Sequence, residues 1–336
     1  MLRLLNRRAR WAAEIGHLKK SAGHGIYVPH REETILRRLT RENRGPLSDK
    51  AVRTLFREIV SICRRSESEM RVVYFPGTNS SLDRLARIGF GSAAECVRMQ
   101  SIPEVFRAVE KGAAQAGIVP IENSDEGSSS DTLDLFIQSD LRICAEWLGT
   151  ATYLLCARWP LAKVRCLWAQ AEALAATRKW IRVILPGATF RKASSLAEAV
   201  QHASHDKATG LVVDIQDEIP LALRMRAGAF HESQTQYWIL GKTPTLPTGR
   251  DKTSVMFVLP NKVGALQKAV RILSRARLNI TRIESRPSPH RNREFNFFVD
   301  IEGHLKERRV NGALAELSRA TSSLKVLGSY PVIGAS

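Results

Sequence analysis

The sequence lacks a long hydrophobic run. Its most apolar segment, residues 147–156, is much shorter than the ~18 apolar residues that a membrane-spanning helix needs. The five cysteines form no CxxC pair, and the eight histidines stand at no metal-ligand spacing with them. These absences argue against a membrane-spanning protein, a zinc site and a disulfide framework. We therefore predict a cytoplasmic protein with reduced thiols and with neither a metal nor a cofactor.

Acidic residues are too few to balance the basic ones, and the formal net charge is +18. Residues 71–150 are net acidic, whereas the parts before and after them are net basic. Such an excess suits nucleic acid, a membrane surface or small anions. The sequence has no basic stripe interleaved with aromatic residues. We predict small anionic substrates, and neither nucleic acid nor membrane as a partner. A basic nucleic-acid binder remains a competing hypothesis, which salt-dependent retention on nucleic acid would support.

The residue patterns divide the chain into three domains. Residues 1–68 have helical periodicity, with helices over residues 2–21 and 29–42 and a third from an N-cap at Ser48 to about Ser66. Residues 70–247 alternate strand and helix signals, which predicts an α/β domain. A turn-rich linker then leads into residues 248–336, whose βαββαβ order predicts an α+β ferredoxin-like domain.

The apolar seam of the first predicted helix contains two cations. Arg8 precedes Trp11 by three positions and Lys19 follows Ile15 by four, so both project from the seam side. Arg31 adds a third cation near the same end. These side chains could extend along a helix edge with their charges in solvent. Alternatively, cations directed into a helical core bind an anion, and a small dianionic substrate would meet that need.

The first region resembles the helical chorismate mutase domain. The resemblance rests on LNRR (5–8), EIG (14–16), YVP (27–29), REE (31–33), NRGPLS (43–48) and FREI (56–59). It implies three-helix protomers that interlock as a dimer. It also implies a pericyclic rearrangement that requires preorganised cations and no nucleophile.

The matching positions imply five substrate-binding residues in the mutase. Arg8, Lys19, Arg31 and Glu32 correspond to the family's site, and Glu67 corresponds to the residue that contacts the ether oxygen of chorismate. The family's first helix begins two to three turns earlier and supplies a further Arg from the partner subunit. Because this sequence opens at Met1, we expect either a truncated start or a weakened mutase.

Two turns in the middle region follow predicted strands. The turn GTNS (77–80) and the loop after strand 116–121 each precede a helix, where hydroxyl and N–H groups can meet an anion. A plain turn and a polar capping loop are the alternative interpretations. The runs GIVPIENSDEG (117–127), TLDL (132–135) and SQTQY (233–237) resemble the signature of prephenate dehydratase.

That resemblance implies loss of CO2 and water from prephenate, giving phenylpyruvate. It implies two α/β subdomains like those of periplasmic binding proteins, with the site in the cleft between them. Thr235 would assist departure of the ring hydroxyl, and Glu122 would be an acid or orient the loop. The substrate-positioning residues would be Thr78, Ser80, Asn123 and Ser124. Two departures are Gln236, where the family has Arg, and a turn at Pro76-Gly77 about two residues shorter than the family's.

The last region resembles an ACT domain. Its motifs GAL (264–266) and ESRP (284–287) are similar to the phenylalanine-binding motifs of this enzyme family, although Arg293 replaces an expected Trp. The implied effector-binding residues are Gly264, Ala265, Leu266, Glu284, Ser285, Arg286 and Pro287. Effector binding between paired ACT domains could shift a two-state equilibrium. A purely structural dimerisation module is the alternative.

Mutase, dehydratase and ACT motifs in this order are similar to the bifunctional P-protein family of phenylalanine biosynthesis. The resemblance implies chorismate and prephenate as substrates, L-phenylalanine as effector, and a homodimer or higher homo-oligomer. The competing hypothesis is a single-activity or catalytically impaired relative that mainly binds an amino acid. The start at Met1, the short turn and Gln236 favour that alternative.

Overall fold

The computed structural model describes residues 1–21, 28–77, 82–217, 226–287 and 294–334, without side-chain detail for residues 17–21, 226–228 and 334. The first part is helical, with α1 (Leu2–Ser21), α2 (Pro29–Glu42) and α3 (Asp49–Glu67). These bounds confirm the predicted helices, and the Ser48 side chain accepts a hydrogen bond from the Ala51 N–H at 3.2 Å. Among the described helices, none is long and apolar enough to cross a membrane.

Helices α1 and α3 are in close contact at Gly16. A Cβ atom built on Gly16 would lie 2.6 Å from the Cα atom of Glu67, so a larger residue would force the helices apart. The same close approach brings the end of α3 beside the seam of α1. This contact explains why Arg8 of α1 and the end of α3 line one space.

The next part is an α/β subdomain, as predicted. Its elements are β1 (Arg71–Tyr74), α4 (Leu82–Phe90), β2 (Glu95–Arg98), α5 (Ile102–Glu110), β3 (Ala116–Asn123), β4 (Gly127–Ser128) and α6 (Ser130–Gln138). Strands β2, β1 and β3 are parallel neighbours in that order. Their carboxyl ends therefore lie at one edge, where α/β sheets place ligands.

A second α/β subdomain follows. Its elements are β5 (Arg142–Ala157), β6 (Cys166–Ala169), α7 (Ala171–Ile184), β7 (Thr189–Lys192), α8 (Leu196–His205), β8 (Thr209–Asp214) and β9 (Arg226–Gly241). Strands β7, β6 and β8 are parallel. The long strands β5 and β9 pair antiparallel and run through both subdomains. These two strands connect the subdomains, and the cleft lies between the subdomains on either side of that connection.

The last part has the predicted βαββαβ order. Its elements are β10 (Asp251–Pro260), α9 (Ala265–Arg275), β11 (Ile280–Pro287), β12 (Glu294–Glu302), α10 (Arg308–Ala320) and β13 (Ser323–Gly334). The strand order is β11-β12-β10-β13, as in a ferredoxin-like sandwich. The end of β13 also pairs in parallel with β5, from Val332 opposite Glu146 to Gly334 opposite Leu148. This pairing, which the sequence did not predict, joins the two sheets.

The three parts share buried contacts. One hydrophobic core combines Trp238 and Phe136 of the second part with Met256, Phe298 and Tyr330 of the third. The helical part contacts the others at Arg37, Glu58 and Ser61, among other points. The Arg37 guanidinium donates to the Thr248 carbonyl at 3.0 Å, Ser92 donates to the Glu58 carboxylate at 2.7 Å, and Gly91 packs on Ser61.

Candidate functional sites

A cavity of about 320 Å³ lies among α1, α2 and α3. Four of the five residues expected to bind a substrate line it: Arg8, Arg31, Glu32 and Glu67. The fifth, Lys19, lies in α1, but its side chain is outside the described residues. Trp11, Ile15 and Cys63 give the cavity apolar surface. Cations from two helices therefore face one open cavity, as binding of a dianion would require.

Arg64 is a cavity residue that the sequence analysis missed. It lies in α3, is only 4% exposed, and donates hydrogen bonds to the Glu32 carboxylate and to the Phe90 carbonyl at the end of α4. Its guanidinium also lies 5.9 Å from the centre of the Phe90 ring. Arg64 thus connects Glu32 to the α/β part. Its burial depends on partners from α2 and α4, so no local pattern in the sequence signalled it.

Asn123 and Thr235 form a buried network at the end of β3. Asn123 Nδ2 donates to Thr235 Oγ1 at 2.8 Å and to Ser233 Oγ at 3.1 Å. Its Oδ1 accepts from the backbone N–H groups of Asp125 and Glu126. Asn123 is 7% exposed and Thr235 is 2% exposed. Because both hydrogens of the Asn123 amide are committed, the orientation of the amide is fixed.

Tyr237 lies beside this network. Its hydroxyl donates to the Pro76 carbonyl at 3.0 Å, at the carboxyl end of β1. Burial raises the pKa of Tyr237, and the hydrogen bond from Thr235 offsets part of that effect, so the phenol remains neutral. Two further expected residues, Thr78 and Ser80, lie outside the described residues.

The neighbours of Asn123 have different environments. Ser124 is held to β9, since its hydroxyl accepts from the Gln234 N–H at 3.1 Å. Glu122 precedes Asn123 in the strand and therefore points to the opposite face of the sheet from Thr235. Glu122 was expected as an acid or as a residue that orients the loop, and this register separates its side chain from the Thr235 hydroxyl. Its role in the reaction stays a prediction.

Gln236 lies opposite Glu122 in the register, so it also faces away from Thr235. Trp238 is on the same face of β9, and the Arg282 guanidinium of the third part lies 4.7 Å from its ring centre. Burial acts to lower the pKa of Arg282, but the charge of Asp300 and, more weakly, that of Glu122 raise it overall. The Gln236 departure therefore falls on the face toward the C-terminal domain and outside the Thr235 network.

Several polar contacts join the first α/β subdomain to the second across the cleft. The sequence analysis identified none of them. Arg98 of β2 donates to Glu172 of α7 at 2.6 Å, and Arg84 of α4 donates to Gln216, just after β8. Near the strand connection, His231 Nε2 lies 2.9 Å from Asp125 Oδ1. The subdomains are thus held together by polar pairs at the cleft mouth.

The two motifs expected to bind an effector lie at one end of the C-terminal sheet. Gly264 has φ +79 and precedes α9, which begins with Ala265 and Leu266. Pro260 of β10 pairs with Glu294, and Pro287 of β11 pairs with Phe295 of the same strand, which brings the two motifs to that end.

The motif on β11 contacts the first α/β subdomain directly. Ser128 of β4 donates to the Glu284 carboxylate at 3.1 Å, and Arg286 forms an ion pair with Asp134 of α6 at 3.3 Å. Ser285 lies between these two residues on the strand. Because Ser128 pairs with Glu122 in the sheet, the motif is connected to the strand that carries Asn123.

Comparison with known proteins assigns all three parts. Family profiles match as chorismate mutase type II over residues 1–68, prephenate dehydratase over 75–245 and ACT domain over 253–319. The bifunctional chorismate mutase/prephenate dehydratase of Aquifex aeolicus is 36% identical and covers 98% of this chain and 94% of the relative. The chain belongs to the bifunctional chorismate mutase/prephenate dehydratase family.

Other members of the family agree with this assignment. The bifunctional chorismate mutase/prephenate dehydratase of Pseudomonas aeruginosa is 33% identical, covering 98% of this chain and 93% of the relative. The prephenate dehydratase of Arthrobacter aurescens, solved in complex with L-Phe, is 29% identical with a TM-score of 0.60. It covers 77% of this chain and 90% of that chain. The expected multidomain fold is confirmed, with the two-subdomain dehydratase between mutase and ACT domains.

The described residues of this family member contain no group of three or more His, Cys, Asp or Glu side chains suited to a metal ion. The mutase cavity instead contains charged side chains, and the dehydratase cleft contains a neutral amide–hydroxyl network.

Proposed function

We propose that this chain rearranges chorismate to prephenate in the mutase cavity and converts prephenate to phenylpyruvate in the dehydratase cleft. One observation carries the proposal: a single chain combines a cation-lined cavity among three helices with a buried hydroxyl–amide network in an α/β cleft. The full-length similarity to bifunctional relatives supports the same combination.

In the mutase, Arg8, Lys19 and Arg31 bind the two carboxylates of chorismate, and Glu32 and Glu67 contact its oxygen substituents. The rearrangement moves electrons within the substrate, so the protein has no covalent step to perform. Fixed cations favour the compact reacting conformer and stabilise the negative charge that develops on the ether oxygen. The grouping of four of these residues around one cavity supports this assignment.

In the dehydratase, the bond to the ring carboxylate breaks and CO2 leaves. The released electron pair forms the aromatic ring and expels the ring hydroxyl, which needs a proton to depart as water. Thr235 Oγ1 accepts a hydrogen bond from Asn123, so its own hydrogen is directed away from Asn123, toward Tyr237 or a substrate hydroxyl. We propose that Thr235 assists the leaving hydroxyl. Ser124, Thr78 and Ser80 position the substrate.

The ACT domain provides feedback by L-phenylalanine. We propose that the effector binds at Gly264, Ala265 and Leu266 together with the motif from Glu284 to Pro287. The ion pair from Arg286 to Asp134 and the hydrogen bond from Ser128 to Glu284 support a route to the dehydratase site. Allosteric control then requires these contacts to differ between two states.

A homodimer is the proposed assembly. Leu2, Leu4 and Trp11 of α1 are more than half exposed, as is Ile62 of α3, and Leu55 of α3 is nearly so. Exposed apolar side chains in this number are typical of an interface, and an isologous contact between two mutase domains would cover them. Leu4→Glu is expected to lower the molar mass measured by sedimentation, whereas Arg3→Glu, on the same helix, leaves it unchanged. A wild-type monomer would contradict the proposal.

The domain limits 1–68, 70–247 and 248–336 remain our proposal, supported by family profiles that fall within each range. A cytoplasmic location is also proposed. The five cysteines are free, which agrees with a reducing compartment. Small anions, and not nucleic acid, are the partners proposed for the basic chain.

The deciding experiment measures each reaction from its own substrate with purified, folded protein. Chorismate disappearance reports the mutase, and phenylpyruvate formation from prephenate reports the dehydratase, with and without phenylalanine. We expect turnover of both substrates, and we expect phenylalanine to suppress the formation of phenylpyruvate. Folded protein that leaves prephenate unchanged would instead support the single-activity alternative.

A further inference from the structure

A cavity of about 530 Å³ lies between the mutase and dehydratase domains. Its walls come from α2 and α3 on one side and from α4, β5 and the end of β13 on the other. Its volume is within the range of small-molecule sites. The lining residues that matter here are Glu32, Lys50, Thr54, Arg57, Arg84 and Trp147.

The cavity combines cations with an apolar wall. Lys50, Arg57 and Arg84 contribute positive charge, and Leu85 and Trp147 contribute apolar surface. The two carboxylates in the lining have their own partners. Glu33 is paired with Arg37 at 2.8 Å and with Arg53 at 3.0 Å, and Glu32 is paired with Arg64. With both carboxylates paired, the positive charge of Lys50 and Arg84 and the apolar wall suit a small carboxylate with a hydrocarbon ring.

The position of this interdomain cavity is as informative as its chemistry. Glu32, which accepts a hydrogen bond from Arg64, lines both this cavity and the mutase cavity, so the two spaces adjoin at this residue. At the other end, Arg84 and Gln216 line the cavity and also bridge the mouth of the dehydratase cleft. The cavity therefore lies between the site that forms prephenate and the site that consumes it.

We infer that the interdomain cavity holds prephenate in transit from the mutase site to the dehydratase cleft. This inference rests on the proposed function, because both reactions must occur in the same chain. Prephenate is a dianion with a non-aromatic ring, which fits the cations and the apolar wall. A ligand retained beside the second site has a high effective concentration there, so part of it reacts before it exchanges with solvent.

Isotope dilution tests the inference. Labelled chorismate is supplied to the full chain together with a large pool of unlabelled prephenate, and the label in phenylpyruvate is compared with that in the prephenate pool. Transit predicts that early phenylpyruvate is at least about twofold richer in label than the pool. Thr54→Trp fills the cavity from α3, and we expect phenylpyruvate made by this variant to contain the same fraction of label as the prephenate pool.

Thr34→Trp is the matched control. Thr34 and Thr54 are both exposed helical residues whose hydroxyls donate to the carbonyl four residues earlier, but Thr34 lies outside the cavity lining. The control should keep the wild-type excess of label. Each reaction is also measured from its own substrate in all three proteins, which separates a failure of transit from a failure of either activity.

Two results would overturn the inference while leaving the proposed function intact. One is wild-type protein that has both activities but yields phenylpyruvate with the same label as the pool. The other is an excess of label that Thr54→Trp leaves unchanged. Absence of one activity in the separate assays would overturn the proposed function itself.

Discussion

The proposed mutase and dehydratase sites of this chain differ in the charge and the burial of their side chains. The mutase cavity has partly exposed charged side chains on helices, among them Arg8 and Glu67. The dehydratase site has neutral side chains on strands, and Asn123 and Thr235 are almost fully buried. The difference corresponds to the two reactions. Charge placed around a flexible dianion favours one conformer, whereas a hydroxyl that assists a leaving group must be held in one orientation.

The sharpest test of this comparison is Thr235→Val, which removes the hydroxyl and keeps the shape. We expect the dehydratase kcat to fall by about 10²–10³-fold, because a hydrogen bond made in the transition state is lost. Mutase activity should be unchanged, since the mutated residue lies in a different domain. Thr235→Ser keeps the hydroxyl and should retain most of the turnover. Equal loss in both variants would show that packing, and not the hydroxyl, is what the reaction needs.

The converse test removes charge from the mutase cavity. Arg31→Gln is expected to lower mutase kcat/KM by about 10²-fold, because a charge-assisted hydrogen bond to a substrate carboxylate disappears. Arg38→Gln, about two turns further along the same helix and outside the cavity lining, is the control and should be within about twofold of wild type. Dehydratase rates measured from prephenate should stay constant in both proteins. A fall in dehydratase turnover would contradict the separation of the two sites.

Arg64 offers a finer test because it acts through Glu32. Arg64→Met should raise the KM of the mutase for chorismate by about tenfold, since Glu32 loses the charged partner that fixes its position. Arg64 is thus a positioning residue, and kcat should change less than KM. Arg64→Lys, which keeps a buried cation, should recover part of the affinity. If Lys and Met variants have the same KM, or if only thermal stability changes, Arg64 has a structural role alone.

The two sites also differ in how well the sequence predicted them. Helical periodicity placed Arg8 on the buried seam of its helix, and the resemblance to the mutase family added Arg31 to the same expected site. The helix bounds themselves followed from the Ser48 cap and the breaks between periodic segments. Arg64 was missed because its partners, Glu32 and the Phe90 carbonyl, come from two other elements. Local sequence pattern therefore predicted features within a helix, but not the contacts between domains.

The dehydratase site depends on pairing that local pattern does not contain. Asn123 and Thr235 are 112 positions apart, and only the register of β3 with β9 brings them together. The resemblance to a family identified both residues, but it did not show on which face of the sheet the side chains of this motif lie. Glu122 was an expected site residue and Gln236 a noted departure beside Thr235, and strand alternation places both on the opposite face of the sheet from Thr235. The addition of β13 to the dehydratase sheet was equally invisible to local pattern.

The smallest expected effect concerns closure of the dehydratase cleft. Burial acts to raise the pKa of Glu172, but its hydrogen bond and charge interaction with Arg98 lower it overall. A carboxylate whose pKa is lower in the folded state stabilises that state fully above its unfolded pKa. The stabilisation is lost as pH falls through the lower, folded value.

Glu172→Gln should therefore reduce the wild-type loss of thermal stability over the carboxylate range, roughly pH 5 to 3. The expected difference is below about 1 kcal/mol, because the half-exposed Arg98 is screened by solvent. Arg98→Gln should give the same pH profile, and the double variant should add nothing further. Additive effects of the two substitutions would show that the pair does not join the lips of the cleft. The neutral Asn123–Thr235 network has no such pH dependence, so dehydratase chemistry and cleft closure can be separated by pH.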